Sequence, residues 1–222
     1  MASGVRGRFD LVVFDLDGTL VVHDGPVWRT LHGALGSDPE RRREVVRQAL
    51  AGEISYAEWF AADLAMLDAA GADRAALLAV VDTFQPAPGA LALLARLRAA
   101  GVRTAILSGG VDLVVERHLP GDLVDAVWVN RVHFDAAGRI TGGTPTPYDR
   151  EHKAAGVREL RERFGVPRER VAFVGNGPND VAAAREAAFA IAWNDAPPEL
   201  RAVSDAYLPG PDLLSAAPFL LD

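Results

Sequence analysis

Four short apolar runs, Leu11–Phe14, Thr104–Leu107, Val171–Val174 and Ala190–Trp193, alternate with helix-like segments and predict an α/β fold. Each run is near-continuous in apolar residues, the pattern of parallel strands covered on both faces. Such alternation specifies a Rossmann-like parallel sheet wound by right-handed crossovers. Two interruptions complete the predicted architecture: an inserted helical cap and a small β-hairpin.

The first strand is followed by a stretch with no convincing strand. From about Pro26 to Phe84 the helical patterns are Glu40–Ala51, Ser55–Leu67 and Asp73–Phe84. This assigns 24–84 to the cap and 1–23 with 85–222 to the core. A helix over Gly89–Ala100 is opened by Pro88 and closed by Gly101. The second strand then leads into a helix at Asp112–Leu119. Val127–Phe134 and Arg139–Thr141, joined through Asp135-Ala136-Ala137-Gly138, read as the hairpin, with glycine at its turn. A helix at Glu151–Phe164, closed by Gly165, precedes the third strand, and one at Val181–Ala188 precedes the fourth. There is no internal repeat and no low-complexity tract.

Half of the 222 residues are hydrophobic, enough for a buried core. The formal net charge of −7 argues against general affinity for nucleic acid or an anionic membrane. Without cysteine, disulfides and thiolate metal sites are excluded. Met1–Phe9 has no apolar signal region, and no run approaches the ~18 apolar residues of a membrane span. The expectation is a soluble, cytosolic protein. Of 23 basic residues only Lys153 is a lysine, a compact point charge in a chain that otherwise uses arginine.

In open α/β sheets ligands sit beyond the carboxyl ends of the strands. The chemically informative residues gather there. The first strand ends in "DLDGTL" from Asp15, the second in "SGG" from Ser108, and the third in "GNGPND" from Gly175, with Lys153 on the helix before it. Phosphoryl transfer needs an oxygen nucleophile, a divalent cation and donors around the phosphate oxygens. Asp15 is placed to attack. Asp17 can protonate the leaving alkoxide and then activate water. Ser108 and the Gly109 and Gly110 amides, expected at a helix N-terminus, suit phosphate oxygens, and Lys153 supplies a fixed positive charge. Two other patterns are weaker. A calcium loop lacks its third ligand, because Gly18 and Thr19 follow Asp17 at once, and a dinucleotide fingerprint would have Asp180 where its third glycine belongs. None of the five histidines shares a metal-ligand spacing.

With these signatures in order, the chain resembles haloacid dehalogenase superfamily phosphatases, and the insert and hairpin resemble their phosphoserine-phosphatase-like subgroup. The resemblance implies a Mg²⁺-dependent phosphomonoester hydrolase acting on a small phosphorylated metabolite through an aspartyl-phosphate. By it Asp15 is the nucleophile, Asp17 the general acid and base, and Ser108 and Lys153 the phosphate binders. Mg²⁺ is expected among Asp15, Asp17, Asn176 and Asp180. Asp24, Gly109, Gly110 and Asn179 are candidate substrate contacts, Asp24 facing a substrate ammonium.

Two departures alter the expectation. Asn176 stands where the family usually has a metal-binding aspartate; its oxygen coordinates a hard cation without adding charge. Asp180 is expected to compensate by moving inward or orienting a water ligand. A phosphotransferase, or a weakened member that only binds a phospho-ligand or a protein, are the alternatives. Second, Asp63 stands where the resemblance implies an arginine for the substrate carboxylate. An Asp there repels a carboxylate, which argues against phosphoserine unless Arg29 or another cap cation takes over; with Trp28, Tyr56, Trp59 and Asp24 it better suits a neutral or cationic leaving group.

Overall fold

The structure, a computed structural model, describes residues 7–23, 25–149 and 152–222. Its principal strands are β1 (Leu11–Phe14), β4 (Arg103–Val111), β5 (Ala126–Phe134), β6 (Ile140–Thr144), β7 (Val171–Gly175), β8 (Phe189–Trp193) and β9 (Ala206–Leu208). They form one sheet in the order β6-β5-β4-β1-β7-β8-β9. All neighbours pair in parallel except β5 and β6. A separate antiparallel pair joins β2 (Val21–Val22) to β3 (Gln85–Pro86), closing the chain on either side of the insert.

The near-continuous apolar runs have a direct cause in packing. Val12, Phe14, Ile106, Val174 and Ile191 enter one buried cluster, while Leu11, Val13, Leu107, Phe173 and Ala190 enter another. Alternate residues of each strand therefore bury on opposite faces, and every position must be apolar. The first face is covered by α5 (Ala90–Ala99) through Leu93, Leu94 and Leu97 and by α6 (Asp112–His118) through Leu113 and Val114. The second is covered by α7 (Lys153–Phe164) and α8 (Val181–Glu186), through Val157, Leu160, Ala183 and Ala184. At ~1.5–3 kcal/mol per fully buried large aliphatic side chain, both interfaces matter to stability.

Between β2 and β3 lie α1 (Val27–Ala34), α2 (Pro39–Leu50), α3 (Tyr56–Ala69) and α4 (Arg74–Val81). Asp38, Ser55 and Asp73 cap the last three, and Ser55 and Glu58 form a capping box. These caps make the three predicted helices legible. The additional α1 has no side-chain cap and no acid in its first turn, only Pro26 before it. Val27, Leu31, Phe60, Leu64, Leu67 and Leu77 of the insert share the cluster that covers the first sheet face.

The expected hairpin is present as β5 and β6, and β5 joins it to the main sheet by pairing in parallel with β4. One expectation changes. The second strand does not stop at Leu107; β4 runs to Val111, with an irregular register between those residues, and α6 starts at Asp112. Ser108, Gly109 and Gly110 thus lie on an irregular strand end instead of a helix N-terminus. No helix among the described residues is long and apolar enough to cross a membrane.

Candidate active site

The central strand sets the site. Asp15 follows β1 directly, is 4% exposed, and its backbone N–H donates to the Val174 carbonyl at 2.9 Å. The Leu16 carbonyl then accepts from the amides of Thr19, Leu20 and Val21, folding "DLDGTL" into a tight turn. Gly18 sits in that turn at φ +82°, and a Cβ there would lie 2.3 Å from Asn176 Nδ2. Glycine serves both needs: it adopts the left-handed backbone and lets the loop after β7 close over the turn.

Lys153, at the first position of α7, has no exposed surface. Its Nζ donates to Asp15 Oδ1 at 2.6 Å and to Asp180 Oδ1 at 2.5 Å. Desolvation opposes the lysine charge, but Asp15, Asp180 and Asp149 together overcome it and raise the Lys153 pKa. Burial pushes the Asp15 carboxyl up to about 7; Lys153 pulls it down, while Asp180 and Asp17 push it up. The other oxygen of Asp180 accepts from the amides of Asn176 and Gly177, at 2.9 and 2.8 Å. Both Asp180 oxygens are thereby in use. Asp180, expected to move inward or to orient a water ligand, here meets the lysine and the loop amides and fixes Lys153 and the loop.

The outer oxygen of Asp15 converges with Asn176. Thr19 Oγ1 lies 3.3 Å from Asp15 Oδ2 and 3.2 Å from Asn176 Oδ1, so one hydroxyl proton is shared between them. Two hard oxygens on one side of a crevice are donors of the kind Mg²⁺ takes, since it accepts few protein ligands and keeps waters or phosphate oxygens for the rest. The residues therefore fit the ion. Among the described residues no group of three or more acidic, histidine or cysteine side chains gathers as a metal site. An amide at position 176 and an Asp180 turned to lysine explain why.

Asp15, Asp17, Ser108, Gly109, Gly110, Asn176 and Asn179 all line one crevice of about 540 Å³. Lys153 does not line it, but lies buried behind Asp15, which does. Ser108, 2% exposed, accepts from the Gly110 amide at 3.1 Å. Asp17 approaches Gly110 closely, since a Cβ at that glycine would lie 3.1 Å from Asp17 Oδ2. Asn179 donates to Asp149 Oδ1 at 3.1 Å. Asp24, the expected contact for a substrate ammonium, falls outside the described residues.

Sequence reasoning missed several neighbours. Thr19 was read only as part of a motif, although its hydroxyl bridges two other segments. His23 was given no role, yet its Nε2 is 3.4 Å from Asp17 Oδ1 and its ring stacks on Phe84 at 4.2 Å. Asp149, four residues before the distinctive lysine, lines the crevice. Asn130 donates to the Gly109 carbonyl at 2.7 Å, as Trp28 Nε1 does at 2.9 Å. Only the position of Asp149 near Lys153 offered a sequence signal.

The parallel sheet thus ends its first strand in a buried acid, answered by one buried lysine from α7, the helix before β7. The chain belongs to the haloacid dehalogenase-like hydrolase family, whose model matches residues 9–188. It is 34% identical over 204 residues to a phosphoserine phosphatase of Mycobacterium tuberculosis, an overlap of 91% of this chain and 48% of that protein. The chain thus spans about half the length of that relative. It is 32% identical over 196 residues to a phosphoserine phosphatase of Idiomarina loihiensis, covering 88% of this chain and 86% of that one. A solved substrate-bound phosphoserine phosphatase complex shares the fold with a TM-score of 0.75 at 22% identity, over 96% of this chain and 99% of the other. The chain is a phosphoserine-phosphatase-like member of the family.

Proposed function

We propose that the protein is a Mg²⁺-dependent phosphomonoester hydrolase that works through an aspartyl-phosphate on Asp15, with a small phosphorylated metabolite as substrate. The observation that carries this reading is Asp15 lining an open crevice while buried Lys153 bridges it to Asp180 from behind. An Asp15 oxygen attacks phosphorus while the ester P–O bond breaks, and the leaving oxygen takes a proton from Asp17. Asp17 then removes a proton from water, which attacks phosphorus, releases phosphate and restores the Asp15 carboxylate. Lys153 holds Asp15 in place and offers positive charge to the phosphate. Asp15 and Asn176 would hold Mg²⁺, with Asp17 completing the set, and a bound ion would supply neutralisation of the phosphate charge. The helices of 24–84 act as the cap, with Trp28 tied to Gly109 at the edge of the crevice, and exclude water during attack.

Acid-quenched incubation with a ³²P-labelled aryl phosphate tests the intermediate. The label should stay on the wild-type chain and be absent from Asp15→Asn, and hydrolysis by Asp15→Asn at the wild-type rate would refute the assignment. Asn176 supports a second reading, a weakened member that binds phospho-ligands without turnover; no phosphate release at any Mg²⁺ concentration, restored by Asn176→Asp, would favour it. Transfer to an added alcohol in place of water would identify a phosphotransferase.

A further inference from the structure

A small chamber of about 40 Å³ opens beside the crevice, walled by Trp28, Tyr56, Trp59 and Phe60 and closed by Asp63. Trp28 and Asp149 line both spaces, so a group entering the chamber belongs to a molecule whose phosphate lies over Asp15. Trp28 meets Phe60 edge-on at 5.7 Å, and Tyr56 meets Trp59 edge-on at 6.3 Å. Asn130 fixes the Tyr56 hydroxyl at 2.8 Å. The walls are rigid aromatic surface.

Asp63 is the unusual component. It is 3% exposed, and its Oδ1 has no hydrogen-bond partner. His32 Nε2 lies 2.9 Å away, an ion pair when the imidazole is protonated, but Asp63 Oδ1 has no aligned hydrogen bond. A buried carboxylate oxygen without an aligned donor is costly unless something else completes it. No arginine or lysine among the described residues lines either the chamber or the crevice, whereas Asp17, Asp149 and Asp195 do line the crevice. The field acts on Tyr56 as well: burial, then Asp149 and Asp63, raise its pKa and keep the phenol neutral.

Aromatic faces and a desolvated carboxylate both attract cations and reject anions. We propose that the chamber reads the leaving group, and that the preferred substrate is the phosphomonoester of a short amino alcohol without a carboxylate, its ammonium seated among the aromatic rings against Asp63. This rests on the phosphatase reading above and specifies its substrate class. The size agrees, because a water needs roughly 10–15 Å³ of such space, so the chamber admits a primary ammonium with its adjoining carbon. A carboxylate on that carbon would meet Asp63 with like charge.

The test uses the full chain with Mg²⁺ and four probes: 2-aminoethyl phosphate, n-propyl phosphate as its neutral isostere, O-phosphoserine, and p-nitrophenyl phosphate. We expect kcat/KM for the aminoethyl ester to exceed those for the propyl ester and phosphoserine at least about tenfold. In Asp63→Asn the aminoethyl-to-propyl ratio should fall toward one, and in Asp63→Arg phosphoserine should overtake the aminoethyl ester. Equal turnover of the isosteric pair, or phosphoserine as the better wild-type substrate, would overturn the proposal without needing any variant to fold. If even p-nitrophenyl phosphate is untouched, the phosphatase reading itself fails. Calorimetric binding then decides the chamber separately: aminoethyl phosphate held at least about tenfold tighter than propyl phosphate supports it, and equal affinities reject it.

Discussion

Replacing Lys153 with methionine keeps the length of the side chain and removes its charge. Lys153 contacts two carboxylates at 2.6 and 2.5 Å, all three groups being at most 4% exposed. Unit charges 4 Å apart attract by about 4 kcal/mol at an effective dielectric of about 20, but desolvation takes back much of that. Removing one partner leaves the desolvation without the attraction, and such losses run to about 3–5 kcal/mol. For a domain of this size each kcal/mol moves Tm by roughly 2–4 °C, so a fall of roughly 6–20 °C is expected at pH 8 in chelator. The pH dependence follows from Asp15, whose folded pKa of about 7 lies above its usual 3.8. The folded state therefore binds the Asp15 proton more tightly than the unfolded state, and this group's contribution declines as pH rises from about 4 to 7. Loss of the lysine pushes the carboxyl higher still. The gap between variant and wild type should thus be smaller at pH 5 than at pH 8. Thermal unfolding in chelator at both values, with Asp180→Asn and the double variant to measure coupling, provides the assay. A Tm within about 2 °C of wild type at pH 8, a gap as large at pH 5, or strict additivity with Asp180→Asn would refute the account.

Asn176→Asp should tighten Mg²⁺ binding at least about tenfold, measured by titration of thermal stability, because it adds a carboxylate beside Asp15; unchanged affinity would remove Asn176 from the metal side of the crevice. Mg²⁺ binding should weaken as pH falls through about 7, since Asp15 must lose its proton to act as a ligand, and calorimetry at pH 6 and 8 reads this directly. Gly18→Ala should cost about 1–2 kcal/mol in urea unfolding, because φ is +82° and the new methyl would displace Asn176 Nδ2 from 2.3 Å; wild-type stability would show the turn to be relaxed.

The core was legible because burial on two faces leaves no room for polar residues in β1, β7 and β8. Where that constraint relaxes, the pattern fades. β9 has three residues, only partly buried, β2 and β3 have two each, and α1 lacks a side-chain cap, so none rises above the background of an alanine-rich chain. The site was legible for a topological reason: β4, β1 and β7 are adjacent, so three motifs far apart in the chain emerge at neighbouring strand tips. Side-chain direction was not. Spacing puts Asp180 near the loop but cannot say whether its oxygens meet a cation, a lysine or backbone amides, and the last two hold them. Ser108, Gly109 and Gly110 are expected from sequence at the N-terminus of the following helix, whereas the irregular end of β4 carries the strand on to Val111.

The neutral residue at position 176 has a consequence for the metal-free protein. An aspartate there would bring another carboxylate to an inner set in which one Lys153 already answers two carboxylates, Asp15 and Asp180. The Thr19 hydroxyl, with one proton, could satisfy only one of two facing anions. With asparagine, Asp15 Oδ2 and Asn176 Oδ1 share that proton at 3.3 and 3.2 Å without full charge repulsion between them. An asparagine that lowered affinity for a cation would therefore also ease the repulsion in its absence, since both effects would have one electrostatic origin. It follows that Asn176→Asp should lower stability in chelator while raising the stabilisation gained on adding Mg²⁺. A variant that changed only one of these quantities would separate what the geometry of Thr19, Asp15 and Asn176 joins.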